Sequence, residues 1–411
     1  MELAETLNRT VKLAMDEGRV ASYEEAQALF ASFRLRIRVE KGFTSCPAAE
    51  AAVLTLLKAA PKTILGGVEL EGAREEQCTL AWYAGMPLAQ VCQLMGVETT
   101  SVAADFDIPI LQVGGGSPCE GAFSIGISFL EDGFMLSPDV ATVTEVGAPI
   151  EAGAAAAGAA LNEVFAHAYR RNPLAGQREV RFRLPDRGHR VNVHDAWMVG
   201  LGHLGQACLW TVALAYRGEP RRIKLTDFDN VSWSSLSTCL LVDARDVGLS
   251  KADAVGRKLA ALGIEAEVDV ARLQPDRSPV HTSQHVVVVA VDNLALRRTL
   301  DHVHGARVLE GGIGDGVDGF TRVQFHEFPG PRKARDVWAE GDAGASRRTD
   351  ISPPAYQALL RETGDECGTT LVAGRSVATP FVGSVAGAIL AWLGGGTTMV
   401  NHSLCYDVNA L

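Results

Sequence analysis

The stretch from Ala196 to Lys251 constrains the fold more than any other. An apolar run, Ala196-Trp197-Met198-Val199, leads into Gly200-Leu201-Gly202-His203-Leu204-Gly205 and then a helical segment. A second apolar run, Arg222-Ile223-Lys224-Leu225-Thr226, closes on Asp227-Phe228-Asp229. Asp246-Val247-Gly248-Leu249-Ser250-Lys251 then opens another helix. Gly200 permits a tight turn, Gly202 lets a ligand approach the backbone, and Gly205 lets helix and strand pack closely. The free amides and positive dipole end of the helix favour phosphate, and Asp227 stands where a ribose hydroxyl would sit. The pattern predicts an α/β fold, a Rossmann-like domain with a mostly parallel sheet.

The glycines alone do not choose between nucleotides, and an NAD site would accept them. Three further features favour ATP: Asp227 and Asp229 close the second strand, Lys251 starts the next helix, and a third strand ends in Val291-Asp292-Asn293. A lysine near phosphates and a carboxylate able to hold magnesium serve adenylyl transfer, whereas hydride transfer needs neither. An NAD(P)-dependent oxidoreductase therefore explains Gly200, Gly202, Gly205 and Asp227 but leaves Lys251 and Asp292 without a role.

A length of 411 residues suits two domains, divided near Pro185-Asp186-Arg187-Gly188. A formal charge of −11 argues against a basic surface for nucleic acid. No apolar run is long enough to span a membrane, and Met1-Glu2-Leu3-Ala4-Glu5 does not read as a signal peptide. The eight cysteines form no Cys-x-x-Cys pair, so no structural zinc is expected, and they suit a reducing cytoplasm.

Residues 1–60 read as helical, with Ser22 capping a helix from Tyr23. Thr63–Val68, Ile108–Val113 and Phe123–Ile127 are the best strand candidates of the N-terminal half, and Gly114-Gly115-Gly116 reads as a loop. An alanine-rich helix covers 151–171, ending in Arg170-Arg171, and Glu179–Leu184 is a strand. Beyond the core stretch, Ile264–Val270 alternates as a strand. His285–Val291 is an unbroken β-branched run suited to a strand buried on both faces. Arg307–Gly312 is the next strand, and Phe320–Phe328 alternates as an antiparallel one. Residues 329–353 carry charge, glycine and proline without periodicity and read as a mobile crossover loop.

These motifs resemble the superfamily of ubiquitin-activating enzymes and the ThiF/MoeB-like adenylyltransferases of thiamine and molybdopterin biosynthesis, over about residues 190–400. In that superfamily the strand-end Asp is followed eight residues later by Asn, eleven later by Arg, and thirteen after that by Lys. Lys251 holds this register from Asp227, but Ser235 and Thr238 stand where Asn and Arg are expected. A missing arginine must be replaced by another cation or leave a non-catalytic scaffold. Arg245, Arg297, Arg298, or an arginine from the N-terminal half or a partner subunit, are the candidates.

What the resemblance implies is an enzyme that adenylates the C-terminal carboxylate of a ubiquitin-like protein with Mg-ATP. Gly200, Gly202 and Gly205 would cradle phosphates. Asp227, with Asp229 beside it, would hold ribose, Lys251 would neutralise phosphate, and Asp292 would orient magnesium. Cys367, in Gly364-Asp365-Glu366-Cys367-Gly368, precedes a segment, Pro380-Phe381-Val382-Gly383, like the one that leads into the superfamily's closing helix. By resemblance Cys367 would accept the acyl group as a thioester and pass it to a conjugating-enzyme-like partner. Residues 329–376 would form the crossover loop. Residues 1–185 would be an inactive adenylation-like half or a substrate clamp, and a homodimer is compatible with either. The Cys-Gly-x-x-x-x-Ala-Gly-Arg segment is most like activating enzymes of bacterial ubiquitin-like conjugation in antiphage defence. A sulfur-carrier activator and a peptide-antibiotic adenylase belong to the same enzyme class. His203 reads as a spacer.

Overall fold

The computed structural model describes residues 3–100, 108–115, 123–138, 147–169, 172–190, 195–274, 286–303, 307–339, 350–399 and 401–411. The expectations for Gly116, Arg170, Arg171, His285 and the centre of the charged loop (340–349) lie outside the described residues, as does Cys119.

Two seven-stranded sheets carry the chain. The first contains β1 (Leu35–Val39), β2 (Val68–Glu71), β3 (Glu98–Thr99), β4 (Ile110–Val113), β5 (Ser124–Leu130), β6 (Gly133–Ser137) and β7 (Val180–Arg183) in the order β3-β2-β1-β4-β5-β6-β7. The second contains β8 (Asp195–Val199), β9 (Arg222–Thr226), β10 (Glu265–Asp269), β11 (Val286–Val289), β12 (Arg307–Ile313), β13 (Arg322–Phe328) and β14 (Ser403–Asp407) in the order β10-β9-β8-β11-β12-β13-β14. In both sheets the first five strands pair in parallel and the last two pair antiparallel. The N-terminal half thus repeats the C-terminal topology strand for strand.

The first strand corrects the helical reading of residues 1–60. Leu35, Ile37 and Val39 are buried, while Arg36 and Arg38 alternate between them. Arg36 lies 3.0 Å from Glu69 and Arg38 3.1 Å from Glu71 on the neighbouring strand. Period-two alternation with a charge-complementary partner favours a strand over a helix here. The candidate at Thr63–Val68 is also displaced: a turn occupies residues 63–66, and β2 begins at Val68.

Seven helices matter for the site: α1 (Pro47–Ala59), α2 (Leu88–Met95), α3 (Ile150–Ala168), α4 (His203–Ala215), α5 (Lys251–Ala260), α6 (Glu366–Ala373) and α7 (Pro380–Gly394). Helix α3 lies on β5 and β6, α7 lies on β12, and the two pack against each other, with α4 also against α7. The joint between the halves is therefore a shared helical layer. Phe165 and Phe381 meet across it with ring centroids 5.1 Å apart, and Trp210 Nε1 donates to Thr55 Oγ1 at 3.0 Å. A buried donor satisfied across the joint fixes its register as apolar packing alone would not.

The described residues of the span 329–376 include three helices, one of them within the expected loop 329–353. A short helix covers Ala334–Val337, another covers Pro354–Thr363, and α6 follows it. Pro353 and Pro354 preset the start of the second, and the Asp365 side chain caps α6 by accepting from Gly368 N at 2.8 Å. Among the described residues no helix is long and apolar enough to cross a membrane.

Candidate functional site

The glycine turn leaves β8 and enters α4 at the carboxyl edge of the second sheet, where ligands bind in such folds. Gly200 has φ +89°, and a Cβ there would lie 2.5 Å from Ala290 O. A Cβ at Gly205 would lie 1.9 Å from Gly200 O, so only glycine lets helix and turn meet. Gly202 faces open space, with nothing within 4 Å of an added Cβ, which leaves its backbone approachable. Gln206 braces the turn by donating to Leu201 O at 2.9 Å and accepting from Leu241 N at 3.0 Å.

Asp227 is buried against this turn. Its Oδ2 accepts from Leu201 N at 2.6 Å and its Oδ1 from Asp229 N at 2.8 Å. Burial raises its carboxyl above the ordinary aspartate value, against the pull of Lys251 and the two amides. Lys251 Nζ lies 2.9 Å from Asp229 Oδ2, and Lys251 N donates to Asp229 O at 2.9 Å. Burial pulls the ammonium down, but Asp227 and Asp229 more than offset this and hold it above the ordinary lysine value. Lys251 therefore stays cationic at neutral pH. Asp292 is exposed at the end of β11, beside Asn293, which caps the next helix through Leu296 N at 2.9 Å.

The segment that departs from the superfamily pattern folds inward. Ser235 exchanges bonds with Ser232 in a capping box, and Thr238 is buried. Of the expected substitute cations, Arg245 is exposed and paired with Asp243 at 3.0 Å. Arg297 donates to Val291 O at 2.8 Å, lies 3.1 Å from Glu310 and stacks over Trp338 at 4.7 Å. Arg298 donates to Trp338 O at 2.7 Å. An arginine of the N-terminal half reaches the residue next to Thr238. Arg9 N donates to Ser237 Oγ at 3.2 Å, Arg9 Nε donates to Ser376 O at 3.1 Å, and its charge acts on both His203 and Cys239. No local signal marks Arg9, because it meets Ser237 across 228 positions of sequence.

Cys367 is exposed in the first turn of α6. The far end of α6 leads to Ser376, which Arg9 holds. Arg375 pairs with Glu5 at 3.0 Å. Cys239 is buried, and burial pushes its thiol up against Lys251, Lys62 and Arg9. Among the described residues no group of histidine, cysteine or acidic side chains could hold a metal ion.

The equivalent turn of the first sheet, between β1 and α1, has lost this chemistry. Gly42 there has φ +85°, close to that of Gly200. Glu76 accepts from Gly42 N at 2.7 Å, Thr44 N at 3.0 Å and Thr44 Oγ1 at 2.6 Å. An internal carboxylate thus occupies the amides that a phosphate would use. Strand β2 runs out into Gly72-Ala73 and α2 begins at Leu88, where β9 and α5 offer Asp227 and Lys251.

Fold and site together define a two-sheet α/β protein with an open glycine-turn crevice on one sheet and a carboxylate-filled turn on the other. The profile described as "BilD N-terminal domain" matches residues 34–184, and "BilD C-terminal domain" matches residues 193–392. The bacterial E1-like protein BilD of Collimonas sp. (strain OK412) is 31% identical over 408 residues, covering 93% of this chain and 87% of that protein. The chain belongs to the BilD family of bacterial E1-like proteins. Among solved structures, E. coli MccB with ATP is 16% identical with a TM-score of 0.33, spanning 50% of this chain and 58% of that one. Selenomethionine PaaA is 20% identical with a TM-score of 0.25, spanning 32% and 40%. The chain therefore spans about half the length of these structures.

Proposed function

We propose that this protein activates the C-terminal carboxylate of a ubiquitin-like protein by adenylation and then holds it as a thioester in a bacterial conjugation pathway. The observation that carries the reading is the meeting of Lys251, Asp227, Asp229 and Arg9 around one glycine turn. Hydride transfer has no use for two cations there. Membership of a family whose relative is named E1-like supports the same reading.

A carboxylate oxygen of the protein tail attacks the α-phosphorus of ATP. A new P–O bond forms, the bond to the β-phosphate breaks, and pyrophosphate leaves. The amides around Gly200, Gly202 and Gly205 bind phosphate oxygens, and Asp227 accepts from ribose. Lys251 and Arg9 neutralise charge that grows on the leaving pyrophosphate, a contribution of a few kcal/mol for each well-placed cation. Asp292, exposed at the mouth, has the hard oxygen donors that magnesium prefers, and the ion would add charge neutralisation there. The Cys367 thiolate then attacks the acyl carbon, the bond to AMP breaks, and AMP leaves. Cys367 stands at the end of α6 remote from Ser376, so α6 has to swing or unwind across about its own length, ~12 Å. A conjugating-enzyme-like protein would take the acyl group next. The N-terminal half acts as a degenerate adenylation half that supplies Arg9.

ATP–pyrophosphate exchange that depends on a small protein ending in glycine is the direct test. The reading also expects a reductant-sensitive adduct with that protein, abolished in Cys367→Ala while exchange persists. Exchange without any protein, or none with neighbour-encoded candidates, refutes it.

A further inference from the structure

Two polar atoms near the glycine turn are buried without partners: His203 Nε2 and Thr379 Oγ1. Thr379 is the N-cap residue of α7 and 2% exposed, yet its hydroxyl makes no capping bond. Such a hydroxyl ordinarily accepts from a first-turn amide, and leaving it unmade costs stability. Pro380 has no N–H, and in the first turn of α7 only the amides of Phe381 and Val382 lack an acceptor within the helix. His203 is the first residue of α4, and a Cβ on Gly383, one turn into α7, would lie 3.6 Å from its ring. The starts of two long helices, 13 and 15 residues, therefore meet at one corner of the crevice.

Arg9 and Lys251 both act on this corner, Lys251 from within its pair with Asp229. Burial pushes the His203 imidazole down to about 3, and Arg9 and Lys251 add to the effect. The ring is neutral at physiological pH and keeps one N–H to donate. The backbone leading into α7 is fixed by the same segment that carries Arg9: Thr10 Oγ1 donates to Ala378 O at 2.9 Å. Two helix starts and two unsatisfied polar atoms thus converge within reach of the fields of Arg9 and Lys251.

We propose that Thr379 and His203 are phosphate-contacting residues, so that the triphosphate is gripped between the N-termini of α4 and α7. This rests on the nucleotide reading above and assigns to it a second wall, in the closing helix. It also couples the closing segment to the chemistry, because α7 follows directly on the helix bearing Cys367 and phosphate filling the corner is felt by that helix.

The test compares MgATP affinity by calorimetry with adenosine binding by saturation-transfer NMR, on the full chain. Thr379→Val should weaken MgATP at least fivefold and leave adenosine unchanged, with a Tm no lower than wild type. His203→Ala should show the same split, and Thr379→Ser should restore MgATP affinity to within twofold of wild type. Unchanged MgATP affinity in Thr379→Val overturns the assignment while leaving the nucleotide reading intact. Equal loss for MgATP and adenosine also overturns it, because a displaced helix and not a lost phosphate contact would then be responsible. If wild type binds neither ligand, the nucleotide reading itself fails.

Discussion

Glu310 is fully buried in the middle of β12, at the carboxyl edge that also presents Asp292, and it offers a quantitative check of the structure. Burial lifts its carboxyl from the ordinary 4.5 to about 7, opposed by Arg297, whose Nε lies 3.1 Å away. Its cross-strand neighbour His326 is pushed down to about 4 by burial, with Arg297 and Arg332 adding, so it stays neutral and does not help. An acid whose folded value is raised binds its proton more tightly when folded. Its contribution is complete below about 4.5 and is lost as pH rises through about 7. At 1.36 kcal/mol per tenfold change in proton affinity, linkage gives a loss of about 2.5 kcal/mol between pH 5 and pH 8. Glu310→Gln removes this titration while keeping shape. The stability difference between wild type and variant, from urea unfolding at each pH, should therefore move by about 2.5 kcal/mol in the variant's favour from pH 5 to pH 8. Other titrating groups cancel in the difference. A gap that stays constant, or moves toward wild type, refutes the claim that burial outweighs the Arg297 pairing.

Three other perturbations bear on the site. Arg9→Gln should cut the rate of pyrophosphate exchange by about 100-fold, as loss of an oriented charge does, with little change in Tm. An unchanged rate would remove Arg9 from the cationic post beside Thr238. Lys251→Ala should lower exchange comparably, and wild-type rates in that variant would count against the site. Glu76→Gln should cost about 1 kcal/mol near neutral pH, since an amide accepts more weakly from Gly42 and Thr44. Burial opposes Glu76's ionisation, but the Thr44 and Gly42 bonds prevail and hold it below the ordinary value, so the deficit is present above the unfolded value and fades as pH falls through the folded one. A deficit independent of pH would mean that the turn does not bind the carboxylate as an anion.

What could be read from sequence was what depends on near neighbours. Gly200, Gly202 and Gly205 fall within six positions, and backbone sterics fix their roles whatever surrounds them. Asp227 and Lys251 follow because a βαβ unit has a preferred length and hand, so spacing along the chain becomes position at the sheet edge. The alternation in Leu35–Val39 was equally local, but a short arginine-bearing run also suits a helix until Glu69 and Glu71 pair with it.

What tertiary structure decided was everything that depends on which distant pieces meet. Arg9 lies in a segment with no motif, and only the helical joint of the two halves carries it to Ser237 and His203. Thr379 and His203 each read as commonplace, and their unsatisfied atoms matter only because the starts of α4 and α7 are packed together. The repeated strand order was not legible in the residues of the N-terminal half, where only the resemblance offered an adenylation-like half beside a substrate clamp, since Gly42, Glu76 and Leu88 carry none of the second turn's chemistry. Backbone conformation is set within a few residues, whereas Coulomb fields and unmet hydrogen bonds are set by proximity in space, which a linear pattern does not encode.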